Sequence, residues 1–325
     1  MQEPDIHFGK SKKLRYGENP HQRGWYIETD EGADDPLSLQ KFEFQQGKEL
    51  SYNNYLDMDA ALLALSHLGD LSPTAGEAAV VIVKHGNPCG ASLRENIAQA
   101  YEAAWYGGDP LAAFGGVMAV NKEIDGELAE KMIENFFEIL MAPSIRKEAA
   151  AVFAKKPNLR VLINTALRAP KPSPAYQMHK VRGGMLVTDP DSEPLPVSAL
   201  KAVTMRPPTE QETEDLLFAW ALCRSSKSNT ITAAKGRTLI ASGVGQQDRK
   251  RCAELCVSKA GERMRGAVAA SDAFFPFRDT TDVLLDSGVT AIIQPGGSIK
   301  DQESIDACNE AGAAMAFTGR RAFRH

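Results

Sequence analysis

Short apolar runs without polar alternation recur along this chain, at spacings too wide for hairpins and filled with helix-like sequence. AVVIVK (79–84) is followed by GGVMAVN (115–121), EILMA (138–142) and NLRVLI (158–163). AVAAS (267–271), VTAIIQ (289–294) and AMAFT (314–318) renew the pattern later. A strand that lacks alternation is one buried on both faces. The segments between supply the cover: DGELAEKMIENFF capped by Asp125, SIRKEAAAVFAKK opened by Ser144, TEQETEDLLFAWALCRSS with the capping box Thr209–Glu212, then TTDVLLDSG and DQESIDACNEAG. SLRENIAQAYEAAWYGG reads the same way, as a helix with Ser92 as N-cap and Glu95 completing its box. NTITAAK and RTLIASGVG lie close enough to pair as strands. Alternating β and α segments of this kind fold as sheets covered by helices, so the class is α/β.

The 325 residues exceed one ordinary domain. RAPKPSPAY (168–176) carries prolines that cannot donate to a ladder, which places a boundary there and predicts two α/β units, 1–170 and 171–325. Their similar size suggests a duplication, although no fixed-period repeat is visible. Net charge is −5 without a Lys/Arg cluster, which argues against nucleic acid as a partner and leaves room for local basic pockets that take small anions. Five cysteines show no framework spacing. Cys252 and Cys256 share a helix face but have no further ligand at zinc spacing, and Cys89 in NPCG has no second cysteine, so no metal is required. The start, MQEPDIHFGKSKK, is polar, and no apolar run approaches the roughly 18 residues of a membrane helix. A cytoplasmic protein with reduced thiols, without a membrane partner, is expected.

Working groups in such folds sit beside strand ends. That rule singles out Lys84–His85, Phe114–Gly116, Glu138, Gly243–Arg249, SDAFFPFRD (271–279) and QPGGS (294–298), each read as following a strand. A histidine is the usual general base near neutral pH, and a lysine beside it can meet a developing oxyanion. Alone, the pair is more simply read as a hydrogen-bonded strand-end histidine and a surface lysine, since such pairs are common. Arg15 next to Tyr16 suits a planar or anionic ligand. GVGQQDRK permits close backbone approach and offers Arg249 to a phosphate, but it lacks the spacing of an ATP or dinucleotide loop. SDAFFPFRD offers a flat aromatic surface or a core segment, and QPGGS a nest of backbone N–H groups or a plain turn.

Taken together and in order, LRYGENPHQ, KELSYNN, VIVKHGNPCG, DPLAAFGG, APS, KSN, GVGQQDR, SDAFFPFRD, QPGGSI and FTGRRAFRH resemble the formyltransferase half of the bifunctional purine-biosynthesis protein family, from about Leu14 to the last residue. The resemblance implies AICAR transformylase activity: transfer of the formyl group of 10-formyltetrahydrofolate to the 5-amino group of AICAR. His85 matches the proton acceptor and Lys84 the transition-state stabiliser. Arg15, Tyr16, Gly115, Glu138, Asn229, Arg249 and Arg321 match AICAR-contacting positions. Lys250, Phe274, Asp279, Gly296 and Gly297 match the folate side, with Lys227 and Phe114 as second-rank candidates.

The resemblance also implies a duplicated cytidine-deaminase-like α/β unit without zinc, and a homodimer with active sites at its interface. The family's cyclohydrolase signatures do not precede those quoted, so ring closure to IMP is expected of a separate IMP cyclohydrolase. Asp248 stands where a small polar residue is expected, and Cys223–Ser226 depart from the usual run before KSN. Three rivals remain: formate- and ATP-dependent synthesis of the same product, a catalytically idle paralogue that binds AICAR or folate, and a base deaminase. The first needs a nucleotide-phosphate motif that the sequence lacks, and the second has no use for Lys84–His85.

Overall fold

The computed structural model describes residues 6–71 and 76–325; the first five residues of the polar start lie outside them. An N-terminal hairpin of β1 (Phe8–Lys13) and β2 (Trp25–Thr29) leads the chain. A first unit follows: β3 (Glu43–Gln46), α1 (Tyr52–Gly69), β4 (Ala78–Lys84), β5 (Asn87–Arg94), α2 (Ile97–Gly107), α3 (Pro110–Ala113), β6 (Val117–Val120), α4 (Gly126–Met132), β7 (Ile139–Ala142), α5 (Lys147–Phe153) and β8 (Arg160–Ile163). After a second hairpin, β9 (Gln177–Val181) with β10 (Gly184–Thr188), comes β11 (Lys201–Ala202), α6 (Glu210–Arg224), β12 (Ile231–Ala234) and β13 (Leu239–Gly243). The chain closes with α7 (Arg249–Ala260), β14 (Val268–Ser271), α8 (Asp279–Asp286), β15 (Ala291–Gln294), α9 (Asp301–Glu310) and β16 (Ala314–Phe317).

Two six-stranded sheets form, ordered β3-β8-β7-β6-β4-β5 and β11-β16-β15-β14-β12-β13. They coincide strand for strand. Each has an antiparallel edge strand, three parallel strands, then two antiparallel ones. The arrangement is a duplicated α/β unit whose repeat survives in topology and is not legible as letters, because burial demands apolar residues without fixing which ones.

The apolar runs are continuous because both faces of each sheet are covered. In β4, Ala79, Val81 and Val83 enter one core while Ala78, Val80 and Ile82 enter another. The first core holds α1 and α6, which pack on each other between the sheets. The second is closed by α2, α4 and α5, and a third, behind the other sheet, by α7, α8 and α9. The sheets also meet edge to edge, where Leu93 N donates to Arg237 O at 3.1 Å and Ser92 bridges to Thr238.

The helix expected from Ser92 is a strand up to Arg94. Residues 87–94 pair with β4, with Cys89 bulged at a register shift, and Ser92 Oγ donates to Ala100 O at 2.6 Å. The cap of α2 is Asn96, whose side chain accepts from Gln99 N. A capping cue acts locally, and the ladder outweighs it. The helix expected from Ser144 begins at Lys147, since Ser144 Oγ is engaged with Glu123 and Arg168. The long helix α1 has no counterpart in the sequence reading, and α7 is anticipated only in the helix face shared by Cys252 and Cys256. The box Ser51–Asn54 was the available signal for α1, with Asn in place of the usual Glu or Gln.

Candidate active site

β4 ends in a two-residue hairpin loop. Lys84 pairs with Asn87, and His85 and Gly86 between them stand at φ 52 and 74. A type I′ turn requires positive φ at both central residues, because only that twist matches the strands it joins. Glycine adopts it freely, whereas for histidine the left-handed region costs roughly 1–2 kcal/mol. His85 is exposed on this loop and Lys84 half-buried beneath it. Lys84 Nζ donates to Phe114 O at 2.6 Å, and Gly86 N donates to Asp57 Oδ1 at 2.6 Å. Burial pushes the Asp57 carboxyl up, against the pull of the Gly86 N–H and of the charges on His85 and Lys84.

Because β4 runs antiparallel to β6, its last residues lie at the same sheet edge as the first residues of β6, β7 and β8. Gly115 and Glu138 therefore precede strands, where the sequence reading had them follow one. Glu138 N donates to Gly116 O at 2.9 Å, and Arg160 N to Glu138 O at 3.0 Å, which lays the three loops side by side. Gly115 stands at φ 71, and a Cβ there would lie 3.0 Å from Lys84 Nζ and 3.3 Å from the Phe136 ring. The exposed Phe114 ring leans on Phe136, with centroids 5.0 Å apart.

Beyond Phe136 opens a cavity of about 490 Å³, lined by Arg15, Tyr16, Lys48, Asn54, Glu138 and Arg160 among others. Arg15 Cζ lies 5.3 Å from the Tyr16 ring centroid. The Glu138 carboxylate is held from two sides, by Asn54 Nδ2 at 3.2 Å and Arg160 Nη1 at 3.4 Å. Arg160 is itself fixed by the carbonyls of Lys48 and Glu49, and its burial lowers its pKa from the ordinary guanidinium value.

The other candidates gather at one edge of the second sheet, at the start of β12 and the ends of β13 to β16. Arg249 Nη2 donates to Asn229 Oδ1 and Asp272 Oδ1, at 2.8 and 2.7 Å, and its Nε to Ser271 Oγ at 3.1 Å. Two of its three nitrogens are thus committed inside the protein. The Asn229 amide also donates to Gln246 O and Gln247 O. Arg321 is exposed, 4.5 Å over the Phe323 ring.

Asp248 is the N-cap of α7, accepting from Lys250 N and Arg251 N, which accounts for an acid at that position. The phenylalanines of SDAFFPFRD divide: Phe275 is core, while Phe274 and Phe277 are exposed. Asp279 opens α8. Gly296 and Gly297 have positive φ, but Gly296 N already donates to Gln294 Oε1, and Gly297 N and Ser298 N to Asp301 Oδ2. The two edges join where Asn87 Oδ1 accepts from Lys227 N at 2.9 Å.

Burial pushes the Cys89 thiol up to about 12, so this cysteine is a poor nucleophile despite its place beside the turn. Among the described residues, all five cysteines are free, no group of three or more His, Cys, Asp or Glu could hold a metal, and no helix is long and apolar enough to cross a membrane. The sequence reading missed Asp57, Asn54, Asn87 and Arg160, and had Asp272 only as a flank of the aromatic segment. Asn54 and Asn87 stood inside quoted motifs; nothing local marked Asp57 or Arg160.

Residues 2–259 match the family model described as AICARFT/IMPCHase bienzyme. The chain is 45% identical over 319 residues to the bifunctional purine biosynthesis protein PurH of Acetivibrio thermocellus, covering 98% of this chain and 60% of that protein. It is 44% identical to the PurH of Aquifex aeolicus, covering 97% and 60%, and 44% identical to that of Myxococcus xanthus, covering 99% and 62%. The chain thus spans about 60% of the length of these relatives.

Proposed function

This chain belongs to the AICARFT/IMPCHase bienzyme family, and from that premise we propose that it transfers the formyl group of 10-formyltetrahydrofolate to the 5-amino group of AICAR, giving FAICAR and tetrahydrofolate. The observation that carries this reading is the strand-end turn, which presents an exposed histidine next in sequence to Lys84 at the edge shared with Gly115 and Glu138. The amino group is a weak nucleophile because its lone pair is delocalised into the ring and carboxamide. As its nitrogen bonds to the formyl carbon, His85 takes the proton. Lys84 meets the oxyanion so formed. Collapse breaks the bond to N10, and the proton held by His85 passes to that leaving nitrogen.

In this reading Arg15, Arg249 and Arg321 serve the phosphate and Glu138 the ribose hydroxyls, while Asn229 serves the carboxamide and Tyr16 and Gly115 shape the AICAR side. Since the Asn229 amide and two Arg249 nitrogens are committed internally, binding draws on their remaining atoms or exchanges those bonds. Lys250, Phe274, Asp279, Gly296 and Gly297 serve the folate, with Lys227 and Phe114 beside them. The two glycines then contribute backbone shape, since their N–H groups have partners. We further propose that the units, divided near residue 170, are cytidine-deaminase-like and work without zinc. In the proposed assembly, active sites form across a cytoplasmic homodimer.

The test mixes purified protein with AICAR and 10-formyltetrahydrofolate and follows tetrahydrofolate by absorbance and FAICAR and IMP by chromatography. FAICAR is expected, with turnover falling about 100-fold or more in His85→Ala, the scale of a lost general base. Undiminished turnover in that variant removes His85 from its role. AICAR binding without product overturns the proposal in favour of an idle paralogue, unless formate and ATP restore FAICAR, which instead establishes the other route.

A further inference from the structure

The two units repeat one detail that the proposed reaction does not account for. In the first, Asp57 lies six residues beyond Ser51, the α1 N-cap, and accepts the Gly86 N–H at 2.6 Å. In the second, Asp215 lies six residues beyond Thr209, the α6 N-cap, and accepts the Gly236 and Arg237 N–H at 2.8 and 2.6 Å. The turns correspond as well. Gly236 and Arg237 stand at φ 55 and 50, as His85 and Gly86 stand at 52 and 74. Each hairpin carries a register shift at the same place, between Ile82 and Val83 and between Ala233 and Ala234. Lys235 Nζ donates to Arg265 O at 2.9 Å as Lys84 Nζ donates to Phe114 O. Gly266, at φ 73, faces Lys235 as Gly115 faces Lys84.

What differs is the chemistry. Gly236 stands in the position of His85. Thr290 holds the ladder position of Glu138, donating its N–H to Ala267 O as Glu138 does to Gly116 O. Arg206 lies across this place, bonded to the carbonyl of Thr290 and to both oxygens of Glu212. One scaffold therefore occurs twice, once under a histidine and once closed by an internal ion pair.

We propose that Asp57 is a positioning residue for His85: from the buried helix between the sheets, its carboxylate holds the Gly86 N–H and thereby keeps the turn in the left-handed form that aims the imidazole. This rests on reading His85 as the general base. Asn87 secures the opposite side, its Nδ2 donating to His85 O at 3.0 Å while its Oδ1 accepts from Lys227 N. Positive φ at a histidine is uphill, so the turn keeps it only while its surroundings fix it. Without an acceptor for the Gly86 N–H, the loop relaxes and the imidazole swings away.

The second unit supplies the control. Asp57→Ala, Asp57→Asn and Asp215→Ala are each measured for thermal midpoint, kcat and KM for AICAR. Both alanine variants are expected to lower the midpoint. Only Asp57→Ala lowers kcat, by about 10- to 100-fold, the effect of roughly 1 Å of misplacement, with KM changing less than about threefold. Asp57→Asn, which keeps a carbonyl oxygen for the amide, recovers much of that loss. If Asp57→Ala proves too unstable to assay, Asp57→Asn and Asp57→Ser are compared instead, and Ser must lower kcat more than Asn. The proposal is overturned if the Asp57 and Asp215 variants lose turnover only in proportion to stability. Hydrogen exchange at the Gly86 amide gives a readout without turnover: protection lost in Asp57→Ala and kept in Asp215→Ala establishes the clamp even where formyl transfer itself is absent, and unchanged protection rules it out.

Discussion

Arg249 Nη2 stands 2.7 Å from Asp272 Oδ1, and that carboxylate is wholly buried. The other Asp272 oxygen accepts Ser228 Oγ at 2.6 Å and Thr230 N at 3.0 Å, so one acid organises both the KSN segment and the first residue of α7. A buried pair is nearly balanced while intact and costly when halved, since the remaining charge keeps its desolvation penalty and loses its partner. Asp272→Ala is expected to lose about 3–5 kcal/mol, read from the denaturant midpoint. A loss under about 1 kcal/mol is the scale of an exposed pair and contradicts this account.

Gly115→Ala puts a methyl group 3.0 Å from Lys84 Nζ at a position of φ 71. Lys84 Nζ and the Phe136 ring must each give by a few tenths of an ångström to admit it. Turnover is expected to fall about tenfold or more through displacement of the ammonium. Gly183→Ala, at φ 81 with open space around it in the β9–β10 turn, bears a similar backbone strain without a contact to Lys84 and is expected to leave turnover alone. Equal turnover in the two variants contradicts the assigned role of Lys84.

Glu138→Gln removes the charge that Arg160 and Asn54 orient. If Glu138 binds ribose hydroxyls, KM for AICAR rises about 10-fold or more, the worth of a hydrogen bond to a charged group, while kcat changes less. A fall in kcat at constant KM places Glu138 in the chemistry instead.

Acid destabilises the protein through His67, which is buried against Ser225 with Nδ1 2.9 Å from its hydroxyl. Burial, aided by the charge of Arg224, lowers its pKa from 6.5 to about 3. Between those values the unfolded chain binds a proton that the folded protein refuses. Stability is therefore fully present above about pH 6.5 and falls as the pH drops, by up to about 1.4 kcal/mol per unit from this group. Urea midpoints between pH 7 and 4 are expected to decline less steeply in His67→Gln than in the unaltered protein. Parallel declines would assign the acid limb to other groups.

Much of the fold was legible locally. Thr209 and Glu212 marked α6, Asp125 marked α4, and each continuous apolar run named in the sequence became a strand buried on both faces. Ser92 misled because a cap signal reports only on its own few residues, and those residues had a ladder partner on β4. The α1 helix went unread because it is buried between two sheets, and a helix covered on most sides carries no clean amphipathic stripe.

The candidate site divides in the same way. By itself, the sequence determined the class of the fold, the ordered signatures and the residues able to act as base and cation at Lys84–His85. Tertiary structure alone decided that Gly115 and Glu138 reach that edge, that Asp57 takes the Gly86 amide from 29 positions away, and that Asn87 ties the turn to Lys227 across 140 positions. The reason is the range of the forces. Caps, turns and buried runs are set by interactions within a few residues, whereas strand register and the pairing of a helix carboxylate with a particular loop amide exist only once distant segments have packed.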